Sequence, residues 1–181
     1  MIVENSALRI KAVRDFKEGE REVQAGDEWL VRGPKTYYPR VEETILKEET
    51  APIVGPGQAL RLRATQDLTD RDGNPRKSGE EWLVRTPGPY LPGVYEQIVT
   101  TQNPMVLTDK TAIQVSALQN FTDTYGKDRK AGESWLITNG LASTHIIDVY
   151  EKFEKEVDVI ILKKNQYCVI YDPFDEKEDI S

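Results

Sequence analysis

The chain offers few side chains from which a catalytic site can be built. It has one histidine, His145, and one cysteine, Cys168. A histidine in a polar turn can shuttle protons near neutral pH, but we expect His145 to be a solvated loop residue. Cys168 lies in an apolar stretch, and we expect a small buried side chain rather than a nucleophile. The sequence shows no nucleophile elbow, phosphate loop, zinc spacing or dinucleotide fingerprint. We therefore predict no enzyme activity, catalytic residue or cofactor.

An acidic turn, Asp70-Arg71-Asp72-Gly73-Asn74, is the best candidate for a metal site. If Gly73 takes the sixth position of an EF-hand calcium loop, the twelfth position is Gly79. That position requires a bidentate glutamate, and helices should flank the loop. An Asp-Gly step between two apolar runs is instead typical of a hairpin turn. We therefore predict a plain hairpin turn and no metal site.

Three tryptophans stand 53 residues apart, and each lies in a near-copy of one phrase. The shared positions are Gly26, Trp29, Leu30, Gly79, Trp82, Leu83, Gly132, Trp135 and Leu136. Self-similarity at a fixed period indicates a repeat architecture. A row of tryptophans can stack on a carbohydrate, but repetition inside an amphipathic strand favours core positions. The copies predict repeat units at 1–51, 52–104 and 105–158, the third with a divergent second half, and the truncated start of another at 159–181.

Each unit opens with a stretch of period two, such as Ala59-Leu-Arg-Leu-Arg-Ala64, which predicts a half-buried strand. Its polar members, Arg61 and Arg63, resemble an ordinary solvent face, and they are candidate contacts to an adjacent unit, another chain or a partner. A hairpin, the tryptophan strand, a proline-rich turn and an extended stretch follow. We predict four or five short antiparallel strands per unit, and an all-β, elongated tandem array of small sheet domains.

Two later segments are harder to interpret. Residues 148–155 have a spacing that also suits a helical turn or two, but we predict a strand there. Residues 165–171, Asn-Gln-Tyr-Cys-Val-Ile-Tyr, have the pattern of the lead strand of a fourth unit.

Composition narrows the function classes. Of the 181 residues, 38% are hydrophobic and 30% charged, which is typical of a folded, soluble chain. A unit of about 53 residues is near the lower limit for an independent core, so neighbouring units should help to cover it. The net charge of −7 argues against direct nucleic-acid binding. No apolar run approaches the roughly 18 residues of a membrane helix. From the first residues we expect no signal peptide. The single cysteine allows no intrachain disulfide, which favours a reducing compartment.

The repeated phrases resemble the repeats of the major vault protein family. The phrases that carry the resemblance are Ala59-Leu-Arg-Leu-Arg-Ala, Asp70-Arg-Asp-Gly, Ala25-Gly-Asp-Glu-Trp-Leu, Gly79-Glu-Glu-Trp-Leu-Val, Tyr90-Leu-Pro and Asn165-Gln-Tyr-Cys-Val-Ile-Tyr-Asp-Pro. The order is most similar to repeats three to five of the family's N-terminal array plus the start of the sixth. The shortened turn at 17–20 and residues 174–181 depart from that pattern.

The resemblance implies a structural role in the shell of the vault, a cytoplasmic ribonucleoprotein barrel. It implies self-association into a large homo-oligomeric shell, with the repeats as staves of the wall. It also implies docking of an internal partner, the vault poly(ADP-ribose) polymerase, without membrane binding. The competing hypothesis is a tandem β-module that binds a peptide or glycan and has no assembly role.

Overall fold

The computed structural model describes residues 1–162 and 164–169, and their regular structure is β-sheet without any helix. The described strands are, in chain order, β1 Ser6–Ala12, β2 Phe16–Glu18, β3 Arg21–Val23, β4 Glu28–Arg32, β5 Glu43–Thr50, β6 Ile53–Val54, β7 Ala59–Ala64, β8 Leu68–Thr69, β9 Pro75–Arg76, β10 Glu81–Val84, β11 Gly88–Pro89, β12 Glu96–Gln102, β13 Met105–Val106, β14 Thr111–Ala117, β15 Phe121–Thr122, β16 Asp128–Arg129, β17 Ser134–Ile137, β18 Thr144–His145 and β19 Glu151–Asp158.

The same three-stranded antiparallel sheet occurs three times along the chain. The strand orders are β4-β1-β5, β10-β7-β12 and β17-β14-β19. The lead strand of each unit is central, with the tryptophan strand on one side and the closing strand on the other. The prediction of an all-β array of small antiparallel repeats is confirmed, while the exact unit boundaries stay a prediction.

The central strands follow their alternating sequence. In β7, Leu60, Leu62 and Ala64 are buried, whereas Arg61 is half-buried and Arg63 is exposed on the opposite face. A strand places successive side chains on opposite faces, so this sequence gives one apolar face and one polar face. The apolar faces build a separate core cluster for each unit.

A two-stranded hairpin follows each lead strand, as predicted from the turn residues. The pairs are β2 with β3, β8 with β9, and β15 with β16. The second and third turns contain Gly73 and Gly126 at φ +87° and +81°, a conformation that L side chains rarely adopt. The acidic turn at 70–74 is thus a hairpin turn.

The closing strands β5, β12 and β19 form one outer edge of the three sheets. Each contains a β-bulge opposite its lead strand, which leaves Leu46, Val99 and Glu154 without a paired residue. A bulge bends an edge strand and disfavours simple edge-to-edge extension. Strand β19 also confirms the strand predicted in the region of residues 148–155, although it begins at Glu151.

Two predictions about strands were wrong. The number of strands per unit was predicted as four or five, which holds only for the first unit; the second has seven, β6–β12, and the third has seven, β13–β19. The additional strands are β6 and β13 at the start of these units, which pair with β11 and β18 from the turn after the tryptophan strand. Residues 165–169 are not a strand, because Asn165 takes a positive φ of 67° and no described strand pairs with them. Cys168 is exposed rather than buried. Residues 170 and 171 lie outside the described residues.

Within residues 1–162 and 164–169, no helix is long and apolar enough to cross a membrane.

Candidate functional site

The three tryptophans face the unit cores and lie under cationic side chains. Trp82 and Trp135 are only 6% and 9% exposed, and Trp29 is half-buried. The distances from guanidinium carbon to ring centroid are 5.6 Å for Arg21 over Trp29, 5.0 Å for Arg76 over Trp82 and 4.2 Å for Arg129 over Trp135. Such a contact adds cation–π attraction to the burial of the ring. The tryptophans therefore hold the hairpin to the sheet and do not line an open carbohydrate platform.

The glycines of the repeated phrase share one backbone geometry. Gly26, Gly79 and Gly132 have φ of +101°, +84° and +83°. The amide of each donates a 2.8 Å hydrogen bond to the last alanine of its lead strand, namely Ala12, Ala64 and Ala117. A side chain at this φ would be strained, which explains the residue type at all three positions.

The leucines of the phrase lie on the face opposite the tryptophans. Leu30 and Leu83 are half-buried, whereas Leu136 is 52% exposed. Leu30 contacts a cluster of Ala7, Ala51 and Leu91, of which Leu91 belongs to the second unit. This face of the first unit therefore forms part of the junction with the next one.

An arginine in the second and third hairpins joins two carboxylates to the tryptophan. Arg76 lies 2.9 Å from Asp70 and 2.8 Å from Glu80. Arg129 lies 2.9 Å from Asp123 and 2.7 Å from Glu133, and it is almost fully buried. A buried guanidinium requires such pairing, because an unpaired buried charge is strongly destabilising.

Hydrogen bonds lower the pKa of the turn aspartates below the usual value. Burial alone would raise the pKa of Asp123, but the backbone amides of Lys127 and Tyr125 and the Arg129 guanidinium donate to its carboxylate and outweigh that effect. The pKa of Asp70 is lowered for the same reasons by Asn74 and Arg76, again against burial. Both aspartates are therefore acceptors for their own turn.

The Asp70 carboxylate is accordingly not available as a preorganised calcium ligand. It accepts hydrogen bonds from Asp72 N, Asn74 N, Asn74 Nδ2 and Arg76 Nε. Among residues 1–162 and 164–169, no group of three or more histidine, cysteine, aspartate or glutamate side chains could hold a metal ion.

The first unit lacks this arrangement, in which an arginine pairs with two carboxylates and lies over the tryptophan; we call it the arginine bracket. Val23, which is buried, pairs with Phe16 in the position where Arg76 pairs with Leu68 and Arg129 with Phe121. The Phe16 ring lies 6.3 Å from Trp29. The third unit has the same ring contact, between Phe121 and Trp135 at 6.3 Å, so the first unit differs in the buried Val23, which stands where the other hairpins have an ion-paired arginine.

A second repeated constellation lies where the chain enters each closing strand. The hydroxyls of Tyr37 and Tyr90 donate to Glu43 and Glu96 at 2.5 and 2.8 Å. The same glutamates accept the backbone amides of the residues three positions before them. Burial first, then the hydrogen bond to Glu43, raises the pKa of Tyr37 to about 12. The tyrosines remain protonated donors that fix this corner.

His145 takes the tyrosine position in the third unit, so the expectation of a solvated loop residue was wrong. It is 3% exposed, and its Nε2 lies 2.7 Å from Oε2 of the buried Glu151. The Tyr125 hydroxyl lies 2.9 Å from its Nδ1. In the neutral imidazole, Nε2–H donates to the carboxylate and Nδ1 accepts from the tyrosine. A polar side chain buried here is stable because both ring nitrogens have partners.

Arg61 and Arg63 find their acidic partner in their own unit rather than in an adjacent one. Arg61 Nε lies 2.5 Å and Arg63 Nε 2.8 Å from the two oxygens of Glu81 on β10. Burial would raise the pKa of Glu81, but the hydrogen bonds from Arg63 and Arg61 lower it. Contact of these arginines with another chain or a partner stays a prediction.

The junctions between units combine apolar and ionic contacts. Leu91 enters the cluster of Ala7, Ala51 and Leu30 between the first two units. Arg85 of the second unit lies 3.0 Å from Asp148 of the third. Tyr38, which stands 53 residues before Leu91, is 83% exposed. A junction made of such contacts covers part of the surface that a small unit cannot bury alone.

The arginine brackets and the tyrosine or histidine corners were missed at the sequence level, although both have a spacing that marks them. The bracket reads Asp-x-x-Gly-x-x-Arg-x-x-x-Glu at 70–80 and again at 123–133. The corner reads Tyr or His followed six residues later by Glu. A two-residue insertion before His145 moves it out of the 53-residue register.

Comparison with known proteins places these features in one family. The chain matches a family model described as the Major Vault Protein repeat domain at residues 2–40, 52–93 and 105–143. It is similar to "Major vault protein alpha" of Dictyostelium discoideum, with 52% identity over 168 residues, 92% of this chain and 20% of that protein. The "Major vault protein" of Strongylocentrotus purpuratus is 48% identical over 93% of this chain and 20% of its own length. That of Bos taurus is 45% identical over 96% of this chain, again 20% of its own length. The chain thus spans about a fifth of the length of these relatives.

Proposed function

The chain belongs to the major vault protein family, and on this premise we propose that it is part of a structural subunit that builds the wall of a vault particle. The observation that carries the proposal is the threefold recurrence of one sheet, one hairpin and one glutamate corner, in units whose tryptophans stand 53 residues apart. A stave built of equal units offers contacts at equal intervals, which suits side-by-side packing of identical chains.

Exposed apolar side chains on the closing strands support that mode of assembly. The closing strands present Ile45, Leu46, Ile98 and Val99 with exposures of 37–46%. Modest contacts that recur along a long edge add up to strong but reversible association. A heterologous contact of this kind must close into a ring, since otherwise it would continue as a fibre. The proposal is that many copies pack laterally to form a closed shell.

We propose no catalytic role for these units. Their buried ionisable side chains pair with each other: Asp123 with Arg129, and Glu151 with His145. These pairs hold the hairpins and corners and do not line a reaction site. The net charge of −7 supports a wall element that does not itself bind nucleic acid. We place the particle in the cytoplasm, and we propose that the inner face of this stretch docks an internal partner, the vault poly(ADP-ribose) polymerase.

Negative-stain electron microscopy of the full-length natural chain, expressed alone, tests the proposal. Hollow barrels of uniform size would support the wall role. Dispersed single particles would contradict self-assembly and would favour a tandem binding module. A full-length variant with Trp82→Ala and Trp135→Ala is the matched control, because it removes a large core side chain from two units without changing any residue of the closing strands.

A further inference from the structure

The hairpin turns of the second and third units have the same backbone hydrogen bonds. Asp70 Oδ1 accepts the amides of Asp72 and Asn74 at 3.0 and 2.8 Å. Asp123 Oδ1 accepts the amides of Tyr125 and Lys127, both at 2.9 Å. Residue 72 in one turn therefore holds the place of residue 125 in the other.

In the third unit, Tyr125 fills the space between the turn and the corner. Its ring stacks on His145 with centroids 5.8 Å apart and an interplanar angle of 28°. It also packs against the core cluster that contains Trp135. The unit thus shows which kind of side chain this space accommodates, an aromatic ring lying against the corner residue.

In the second unit the same space is a cavity. The short side chain of Asp72 leaves about 250 Å³ between the turn, Trp82 and Tyr90, and this cavity opens to solvent beside Pro87 and Pro89. Pockets for whole small-molecule ligands usually measure about 300–1,000 Å³, so this one fits a single side chain. The first unit has a shorter turn and no counterpart of Asp72.

The cavity offers aromatic and charged groups to an occupant. The Arg71 guanidinium lies 4.5 Å from the centroid of the Tyr90 ring, at the mouth of the cavity. A guanidinium in this place attracts a second aromatic ring more strongly than an aliphatic side chain. The exposed carboxylate of Asp72 stands on the rim and, in a chain of net charge −7, favours a neighbouring cation.

We propose that this cavity is the docking site for a tyrosine or phenylalanine side chain, flanked by lysine or arginine, in an extended segment of a partner protein. The inference rests on the proposed role of these repeats in docking a partner, and it adds the chemistry of the segment that is recognised. The third unit has no such site, because its own Tyr125 occupies the space.

Nuclear magnetic resonance on the 181-residue chain tests the proposal, since each unit has one tryptophan indole N–H as a reporter. The probes are acetylated, amidated tripeptides of sequence Lys-Tyr-Lys, Lys-Leu-Lys and Glu-Tyr-Glu. We expect a saturable shift of the Trp82 signal with Lys-Tyr-Lys, and binding at least about ten-fold weaker with each of the others. The signals of Trp29 and Trp135 should not move.

Two reciprocal substitutions make the test specific. Asp72→Tyr should fill the cavity as Tyr125 does and abolish the Trp82 response. Tyr125→Asp should open the matching space and transfer a response to the Trp135 signal. Arg71→Thr, which introduces the residue of the third unit, should weaken binding about two- to five-fold. Thermal melts establish that each variant is folded. If Tyr125→Asp does not fold, the result for Asp72→Tyr alone decides the test.

An unresponsive Trp82 signal, an equal response to the leucine peptide, or unchanged binding by folded Asp72→Tyr would overturn the proposal. These results are independent of the wall role. Full-length chains with Asp72→Tyr should form the same barrels as the parent, so loss of peptide binding and loss of assembly are separate observations.

Discussion

The second and third units share a hairpin and an arginine bracket, but they differ in the corner that the hairpin faces. The second unit has Asp72 in the turn and Tyr90 at the corner, and the third has Tyr125 and His145. In both, the corner side chain reaches the glutamate of the closing strand, at 2.8 and 2.7 Å. The groups that satisfy backbone hydrogen bonds are therefore the same in the two units, whereas the side chains between the turn and the corner differ as a pair.

The first unit shows the limit of that exchange. Its shorter turn has no aspartate in the bracket position, and Val23 replaces the arginine. Apolar contact between hairpin and sheet is therefore sufficient to maintain the fold. The brackets of the other two units add polar specificity to a contact that burial already favours.

The largest effect should come from removing a buried tryptophan. Trp82→Ala should lower the free energy of unfolding by about 3–5 kcal/mol, because it leaves a cavity in the core and removes the ring under Arg76. Trp29→Ala is the control, and it should cost less because Trp29 is half-buried. Urea unfolding followed by circular dichroism measures both. Equal costs for the two variants would contradict the difference between the units.

Replacing the turn aspartate by alanine should cost more stability in the third unit than in the second. Asp123→Ala should cost about 3–4 kcal/mol, because it leaves a nearly buried guanidinium with only one of its two carboxylate partners. Asp70→Ala should cost about 2 kcal/mol, because the Arg76 side chain is 20% exposed against 7% for Arg129. Asp128→Ala, on the exposed face of the same hairpin, should change stability by about 0.5 kcal/mol or less. Chemical denaturation gives the three values, and a cost for Asp128→Ala equal to that for Asp123→Ala would exclude the bracket as the cause.

Exchanging the corner residues sharpens the comparison. His145→Ala should cost about 2 kcal/mol, because the buried Glu151 carboxylate loses its closest donor. His145→Tyr should restore most of that loss, since a tyrosine hydroxyl makes the equivalent bond in the second unit. Thermal unfolding of both variants is the measurement. A tyrosine variant as unstable as the alanine variant would show that the two corners are not interchangeable.

The stability of the folded chain at acid pH should depend on the carboxylates of the arginine brackets. The pKa values of Asp70, Asp123, Glu80 and Glu133 are lowered in the folded chain by their hydrogen bonds, for the two glutamates first from the backbone amides of Lys77 and Lys130 and then from the arginines. A lowered folded pKa contributes stability above the pKa of the unfolded chain, which is 3.8 for aspartate and 4.5 for glutamate. That stability is lost as the pH falls through the folded pKa.

The matched variant for this prediction is the double substitution Asp70→Asn and Asp123→Asn. It should flatten the dependence of unfolding free energy on pH below 3.8, because the two aspartates no longer take up protons as the chain unfolds. A titration from pH 6 to pH 2 by tryptophan fluorescence checks it. An unchanged slope would mean that other carboxylates control acid unfolding.

The features that the sequence predicted correctly are those that depend on residues close together in the chain. Period-two strands such as Ala59–Ala64, hairpin turns with glycine, and the tryptophan positions follow from alternation and turn chemistry over a few residues. The burial of His145 did not follow, because it depends on Glu151 and Tyr125, which the fold brings together from a closing strand and a hairpin turn. A polar loop sequence gives no sign that the hairpin turn of its own unit will cover it.

The cavity beside Asp72 also lay beyond sequence reasoning. The turn at 70–74 was recognised as a hairpin, but its space against Tyr90 depends on a side chain that is missing there and present at Tyr125. Only alignment of the two turns in three dimensions shows the exchange. The pairing of Arg61 with Glu81 was beyond the sequence for a similar reason, since it depends on strand register.

If these units are staves of a wall, as proposed, each of them should add to the length of the particle. Deleting residues 52–104, one full period, from the full-length natural chain tests it most directly, with particle dimensions measured by electron microscopy. Closed barrels of unchanged width that are shorter along the long axis are the predicted result. Barrels of unchanged length would contradict the claim and would make the repeats appendages to a shell built by other parts of the chain.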